Sequence, residues 1–151
     1  MIELATGDLL EADVEALVNP VNTQGVMGKG LALEFKRAFP DAFKAYANAC
    51  VRGEVMTGRM HVVRRASPPR FILHFPTKRH WRDPSKLEYV SSGLEDLVRS
   101  VRELRIASLA VPALGCGLGG LSWAEVEPLI VNAFEALPDV RVLLFAPGMR
   151  P

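Results

Sequence analysis

The sequence predicts an α/β domain with a mixed, mostly parallel central sheet and helices on both sides. Three observations carry this. Short apolar runs alternate with segments of helical spacing along all 151 residues. The runs lack strict polar–apolar alternation, so they read as strands buried on both faces. Two glycine-rich loops each follow a predicted strand and precede a predicted helix. Both therefore open on the carboxyl edge of the sheet, where ligands of such sheets sit.

Ile2 to Ala5 reads as a strand ended by Thr6-Gly7-Asp8. Ala16-Leu17-Val18 reads as a buried strand stopped by Asn19-Pro20. Leu31 to Ala38 has helical spacing, with Leu31, Phe35 and Phe39 near one face. Pro40 breaks that helix and Asp41 is placed to cap the next, which runs to about Cys50. Met60 to Val63 and Phe71 to Phe75 are strands joined through Ser67-Pro68-Pro69. Between Pro84 and Arg105, Leu87, Val90, Leu94, Leu97, Val98, Val101 and Leu104 recur at three and four residues and make one apolar stripe. Ser108 to Val111 is a strand ending at Pro112. Ser122 and Glu125 form a capping-box pattern for a helix to about Leu137, and Val140 to Phe145 is the last strand.

No linker, repeat or low-complexity stretch interrupts this pattern, so residues 1–151 read as one domain. Hydrophobic residues at 49% and charged residues at 23% suit a soluble globular chain. Eighteen Lys and Arg against 17 Asp and Glu leave a net charge of +1, so only a local basic patch can speak for nucleic acid. Cys50 and Cys116 make no disulfide framework and lack zinc-site spacing. With no signal-peptide pattern and no membrane-length apolar run, a cytoplasmic setting is expected, with no membrane partner. No His/Cys/carboxylate cluster calls for a metal, and no cofactor is expected. His61 and His74 fall on strand positions and read as core or satisfied polar residues.

The chemistry lies in the loops. The first runs from Asn19 through Pro20-Val21-Asn22-Thr23-Gln24-Gly25-Val26-Met27-Gly28-Lys29 to Gly30; the second is Gly115-Cys116-Gly117-Leu118-Gly119-Gly120. Glycine allows close backbone approach, and consecutive N–H groups followed by a helix N-terminus form an anion nest. Two facing loops of this kind suit a diphosphate; plain turns are the other reading. Neither is a Walker A loop, because Gly30 and not Ser or Thr follows Lys29, and neither matches G-x-G-x-x-G in its dinucleotide setting.

Gly7-Asp8-Leu9, Val18-Asn19-Pro20-Val21-Asn22, Gly28-Lys29-Gly30 and Gly115-Cys116-Gly117-Leu118-Gly119 together resemble the macrodomain family in order and spacing. The resemblance implies a three-layer α/β/α sandwich with ADP-ribose in a cleft at the strand ends. It implies that Asp8, beside Leu9, accepts from the adenine amino group; a turn cap is its other reading. Asn22 would reach the distal ribose, or serve as an Asx-turn residue. Asn19, Gly25, Val26, Met27, Gly28 and Gly30 belong to the first loop's ligand wall. Thr77, Leu114, Gly115, Cys116, Gly117, Leu118 and Gly119 belong to the other. Phe145 packs on adenine or in the core.

Phe75-Pro76-Thr77-Lys78-Arg79-His80-Trp81-Arg82 is similar to the subgroup holding the terminal ADP-ribose protein glycohydrolase and, more closely, the DarG antitoxins. Those antitoxins remove ADP-ribose from thymine in DNA and oppose DarT-type toxins. The resemblance makes Lys78 catalytic, with Asn22 at the distal ribose. A lysine amine is a nucleophile only when neutral, which a closed cleft or nearby Arg79 and Arg82 would favour. It could attack the anomeric carbon or assist ring opening; kept charged, it could stabilise the departing base. The glycohydrolase's acid in the second loop is replaced here by Gly119. His80, Trp81 and Arg82 would contact single-stranded DNA, with Arg64, Arg65 and Arg70 widening the basic surface. A hydrolase of another ADP-ribose adduct and a non-catalytic ADP-ribose reader are the competing readings. Cys116, without a His partner, is not expected to be a nucleophile.

Overall fold

The computed structural model describes residues 1–147. Six strands form one sheet: β1 (Ile2–Ala5), β2 (Ala16–Val21), β3 (His61–Arg64), β4 (Phe71–Pro76), β5 (Ser108–Pro112) and β6 (Arg141–Phe145). Their spatial order is β1-β6-β5-β2-β4-β3, and every neighbouring pair is parallel except β3–β4. Four helices accompany them among the described residues: α1 (Gly30–Ala38), α2 (Pro40–Val51), α3 (Leu87–Leu104) and α4 (Trp123–Phe134).

The layers arise from the alternation of side chains along each strand. Ala16 and Val18 of β2 and Leu73 and Phe75 of β4 pack in one cluster with α3 and α4. Leu17 and Ile72 pack on the other side with Phe35 of α1 and Ala42 of α2. The result is the expected three-layer sandwich. All seven residues of the predicted α3 stripe join the first cluster. Each fully buried Leu, Ile or Val there contributes about 1.5–3 kcal/mol of transfer free energy. Gly93 lies on the same face of α3, and the Phe75 ring rests against it where a Cβ would otherwise sit.

The structure departs from the sequence reading at four places. Asn19 and Pro20 do not stop β2, which runs on to Val21. β2 pairs with β4 along its whole length but with β5 only at Ala16 and Leu17. Pro20 thus falls where one side of the strand is unpaired and a missing N–H is tolerated. Asp41 does not cap α2: Phe39 holds the cap position, Pro40 starts the helix, and Asp41 pairs with Arg65 at 3.0 Å. The Ser122–Glu125 pattern starts α4, but the Ser122 side chain makes no cap bond, and the first-turn link is Glu125 N–H to the Ser122 carbonyl at 3.0 Å. α4 ends at Phe134, short of Leu137.

The parting of β2 from β5 shapes the carboxyl edge of the sheet. Beyond Leu17 and Ala110 each strand keeps its outer neighbour, β4 or β6, and the two diverge towards their carboxyl ends.

Gly93→Ala forces a methyl into the Phe75 ring and is expected to cost about 1–3 kcal/mol by overpacking. Urea unfolding measures it; an unchanged midpoint would mean that the ring does not rest on this helix.

Candidate functional site

The divergence of β2 and β5 opens a cleft of about 710 Å³ at the carboxyl edge of the sheet. That volume lies within the range of sites that enclose a small-molecule ligand. One wall is the loop after β2 with the start of α1. A second is the turn after β5. The third is the segment after β4, beginning at Thr77 and Lys78. Leu9 and Phe145 line the end nearest β1 and β6.

The first loop is shaped by Asn22, whose side chain lines the cleft yet is committed to the loop. Its Oδ1 accepts from the Gln24 N–H at 2.9 Å, and its Nδ2 donates to the Val26 carbonyl at 2.8 Å. The Tyr46 hydroxyl lies 2.7 Å from the Asn22 carbonyl oxygen and 3.0 Å from its Oδ1, and donates between them. Burial and then the Cys50 thiol push the Tyr46 phenol far above its ordinary value, so it remains a donor. The Asx-turn reading of Asn22 is thus realised, at a position that still borders the cleft.

Past this loop, Lys29 caps α1 without any side-chain cap bond. The first N–H groups of α1, whose residues Gly30, Leu31 and Ala32 line the cleft, have no intrahelical acceptor and present partial positive charge there. The Lys29 side chain lines the same wall. Opposite, the second loop folds into a short 3₁₀ turn at Gly117–Gly119, and Gly115 at φ 74° makes the entry that a side chain would strain. Leu118 is two-thirds exposed and lies over Gly30, so the two loops meet across the cleft.

Lys78 and Thr77 line the third wall, with Trp81 and Arg82 after them. Lys78 is partly buried, and its amine has no hydrogen-bond or ion-pair partner among the described residues. The Arg82 guanidinium sits 4.5 Å from the Trp81 ring centre, and His80 stacks on Trp81 at 5.2 Å. Trp81 keeps 41% of its surface exposed. The charge of the lining is one-sided: it includes Lys29, Lys78 and Arg82 and, among the described residues, no Asp or Glu.

Of the residues singled out in the sequence, Leu9, Asn22, Val26, Gly28, Gly30 and Thr77 reach the cleft. So do Gly115, Cys116, Gly117, Leu118, Gly119 and Phe145, with Lys78, Trp81 and Arg82. Six lie behind or beside it. Asn19 and Met27 are buried against each other, the Asn19 Nδ2 donating to the Met27 Sδ at 3.8 Å. Leu114 is in the α3–α4 core, and Gly25 packs on α2 near Cys50. Asp8 is exposed and caps the turn at Leu9–Glu11 through Oδ1 to the Leu10 N–H, 3.0 Å. His80 stands outside, its Nδ1 accepting from the Arg82 N–H at 3.1 Å. Arg64, Arg65 and Arg70 do not widen this surface. They flank the amino end of β4, roughly 17 Å along the strand from the cleft edge. Arg65 there binds Asp41 and three backbone carbonyls.

Sequence reasoning left Lys29 unassigned and missed Tyr46, Thr23 and Ser85. Lys29 stood in the quoted loop, and its place just before a predicted helix was the available signal. No local signal marks the other three. Tyr46 meets Asn22 across 24 residues and Thr23 meets Arg79 across 56, while Ser85 bonds to Gly119 on another loop.

Burial raises the Cys116 thiol above its usual range, which keeps it protonated and unsuited to attack. Behind the first loop, His61 Nδ1 and His74 Nδ1 lie 3.0 Å apart, while His74 Nε2 and Asn19 Oδ1 are buried without a partner among the described residues, at paired positions of β4 and β2. His74 is therefore a core residue, as its strand position predicts, but not a fully satisfied one.

The comparisons with known proteins agree with this architecture. The macro domain family matches residues 18–130. The DNA ADP-ribosyl glycohydrolase of Mycobacterium tuberculosis is 57% identical over 150 residues, 98% of this chain. The chain spans only 43% of that relative's length. The solved macrodomain of Mycobacterium tuberculosis DarG superposes with a TM-score of 0.96 at 56% identity, covering 98% of this chain and 99% of that one. Thermosipho africanus DarTG in complex with ADP-ribose superposes with a TM-score of 0.91 at 38% identity, over 97% of this chain and 42% of that one. The chain belongs to the macrodomain family.

Burial holds His74 neutral, lowering its pKa from 6.5 to about 3, with His61 a smaller cause. The unfolded chain therefore binds a proton that the folded chain refuses between these values. Stability is full above pH 6.5 and falls by about 1.4 kcal/mol per unit below it. Urea unfolding from pH 7 to pH 5 reads this slope, and His74→Gln should flatten it by close to one proton; an unchanged slope in the variant would assign the acid sensitivity elsewhere.

Proposed function

We propose that this domain is a DNA ADP-ribosyl glycohydrolase that removes ADP-ribose from thymidine in single-stranded DNA, acting in the cytoplasm as antitoxin to a DarT-type DNA ADP-ribosyltransferase. The observation that carries the reading is the cleft's lining: Lys78 at its edge, beside Trp81 and Arg82, with no polar partner and no carboxylate among the described residues that line it. The likeness to a curated DNA ADP-ribosyl glycohydrolase across nearly the whole chain supports it.

ADP-ribose fits the wall chemistry. The uncapped start of α1, Lys29 and the second glycine loop suit a diphosphate. Phe145 and Leu9 offer an apolar end for adenine; Asp8, exposed next to Leu9 and capping the turn through Oδ1, would have to turn its second oxygen to the adenine amino group. Asn22 and Val26 then flank the distal ribose near Lys78. The neutral Lys78 amine attacks the anomeric carbon; the bond to thymine N3 breaks, and the base leaves with the electron pair. The proton that the substituted amine sheds passes through water to the base, and a second water then adds to the anomeric carbon, releasing ADP-ribose and returning the free amine. Charge alone does not call for a lysine here, because Lys29 and Arg82 already supply it; a nucleophile does. An imide nitrogen carries the departing charge well, so no general acid is required. Trp81, partly exposed beside Arg82, offers a stacking face and a phosphate contact for the strand.

Release of ADP-ribose from a thymidine-modified single-stranded oligonucleotide tests the reading. Lys78→Ala and Lys78→Arg should both abolish release while ADP-ribose affinity stays within about threefold, a change of under 1 kcal/mol. An active Lys78→Arg would replace the nucleophile by simple charge stabilisation. Wild-type protein that binds ADP-ribose but releases none from DNA would leave a reader or a hydrolase of another adduct.

Trp81→Ala should raise KM for the oligonucleotide and leave affinity for free ADP-ribose unchanged, since stacking is worth about 1–3 kcal/mol per base. KM should also rise with salt. Equal KM in variant and wild type would remove Trp81 from DNA contact.

A further inference from the structure

The Lys78 side chain has no polar partner among the described residues, so its placement depends on the backbone that carries it. That backbone is tied on both sides of the lysine to the first loop. The Thr77 N–H donates to the Val21 carbonyl at 2.9 Å, which extends the β2–β4 ladder by one step. On the other side, the Arg79 carbonyl accepts two bonds from one residue: the Thr23 N–H at 2.9 Å and the Thr23 hydroxyl at 3.0 Å. Lys78 is the single residue between these ties. Further along, the Ser85 N–H donates to the Gly119 carbonyl at 2.9 Å, and Ser85 is buried against the second loop. The segment from Lys78 to Ser85 is thus a strap fixed to both ligand loops.

We propose that Thr23 is a positioning residue for Lys78: its hydroxyl, added to its own N–H, saturates the Arg79 carbonyl and fixes the strap where the lysine enters the cleft. This rests on the reading that Lys78 carries out the reaction. Thr23 is not among the described residues that line the cleft, so its effect would pass through Lys78. It follows Asn22 directly, and Asn22 holds the same loop through Gln24, Val26 and Tyr46. A ligand seated on this loop therefore meets a lysine whose position the loop already sets. The Gly119 end reinforces the register: a Cβ at Gly119 would run into Ser85 Oγ and lie 2.9 Å from Ser85 Cβ, so strap and loop approach as closely as glycine allows.

Thr23→Val keeps the β-branch and the backbone donor and deletes only the hydroxyl; Thr23→Ser keeps the hydroxyl. On a thymidine-modified single-stranded oligonucleotide, Thr23→Val should lower kcat roughly three- to tenfold, the worth of one neutral hydrogen bond. KM and ADP-ribose affinity should hold, and Thr23→Ser should restore kcat. An unchanged kcat in Thr23→Val, or a loss confined to KM and affinity, overturns the proposal. Wild-type protein that binds ADP-ribose but releases none fails the glycohydrolase reading alone. The position of the lysine is then read without turnover, from the ADP-ribose-induced shift of the Lys78 ε-carbon resonance. That shift should shrink in Thr23→Val and return in Thr23→Ser; equal shifts in wild type and both variants overturn the proposal.

Discussion

β2 and β5 share only two paired positions, and the cleft exists because of it. Both strands carry a proline near their carboxyl ends, Pro20 and Pro112, and neither can donate to a ladder there. Each strand is held instead by its outer neighbour: Pro20 stands opposite Phe75 of β4, and Pro112 opposite Phe145 of β6. The sheet can therefore divide at its centre, each strand keeping its outer partner while its inner side goes unpaired beyond Leu17 and Ala110. The buried clusters on its two faces keep the halves together below the division. The loops that leave the diverging ends form the walls of the cleft, which is why both glycine-rich segments and the Thr77–Lys78 turn meet in one place.

Those walls concentrate positive charge in a chain whose net charge is only +1. The lysines at 29 and 78, Arg82 and the uncapped N-terminus of α1 face one half-open cleft, where opposing carboxylates are missing from the described lining. A field of this kind favours anionic ligands and is stronger than it would be in open water. It also restricts chemistry. No carboxylate stands among the described lining residues to transfer a proton.

Much of the fold was legible because the signals were local. α3 announced itself through seven apolar residues at helical spacing, and each joins the core. The glycine loops located the cleft by their place between strand and helix alone. β2 was read too short because Asn19-Pro20 looks like punctuation, and only the pairing pattern reveals that one side of the strand is vacant there. The basic surface was misplaced for a similar reason. Arg64, Arg65 and Arg70 are near Lys78 in the chain, but β4 runs between them and carries them to the opposite edge. Asn19, Met27 and Leu114 belong to the right loops yet point into the core, a distinction that depends on side-chain direction and not on loop membership. Thr23 and Ser85 carried no signal at all, since a hydroxyl or an N–H meeting a distant carbonyl leaves no periodic trace.

The fit of Ser85 against Gly119 gives the one-sided charge of the cleft a structural cause. A Cβ at residue 119 would run into Ser85 at the base of the strap. An aspartate placed there would crowd Ser85, whose Oγ is buried without a partner among the described residues. To fit, it would have to push Ser85 or the second loop aside, and that loop is held by the Ser85–Gly119 bond that also anchors the strap. The absence of an acid at this position is thus bound to the geometry that presents Lys78. On the proposed glycohydrolase reading, such a site favours leaving groups that carry their own negative charge, and a ring imide meets that condition better than an alkoxide does.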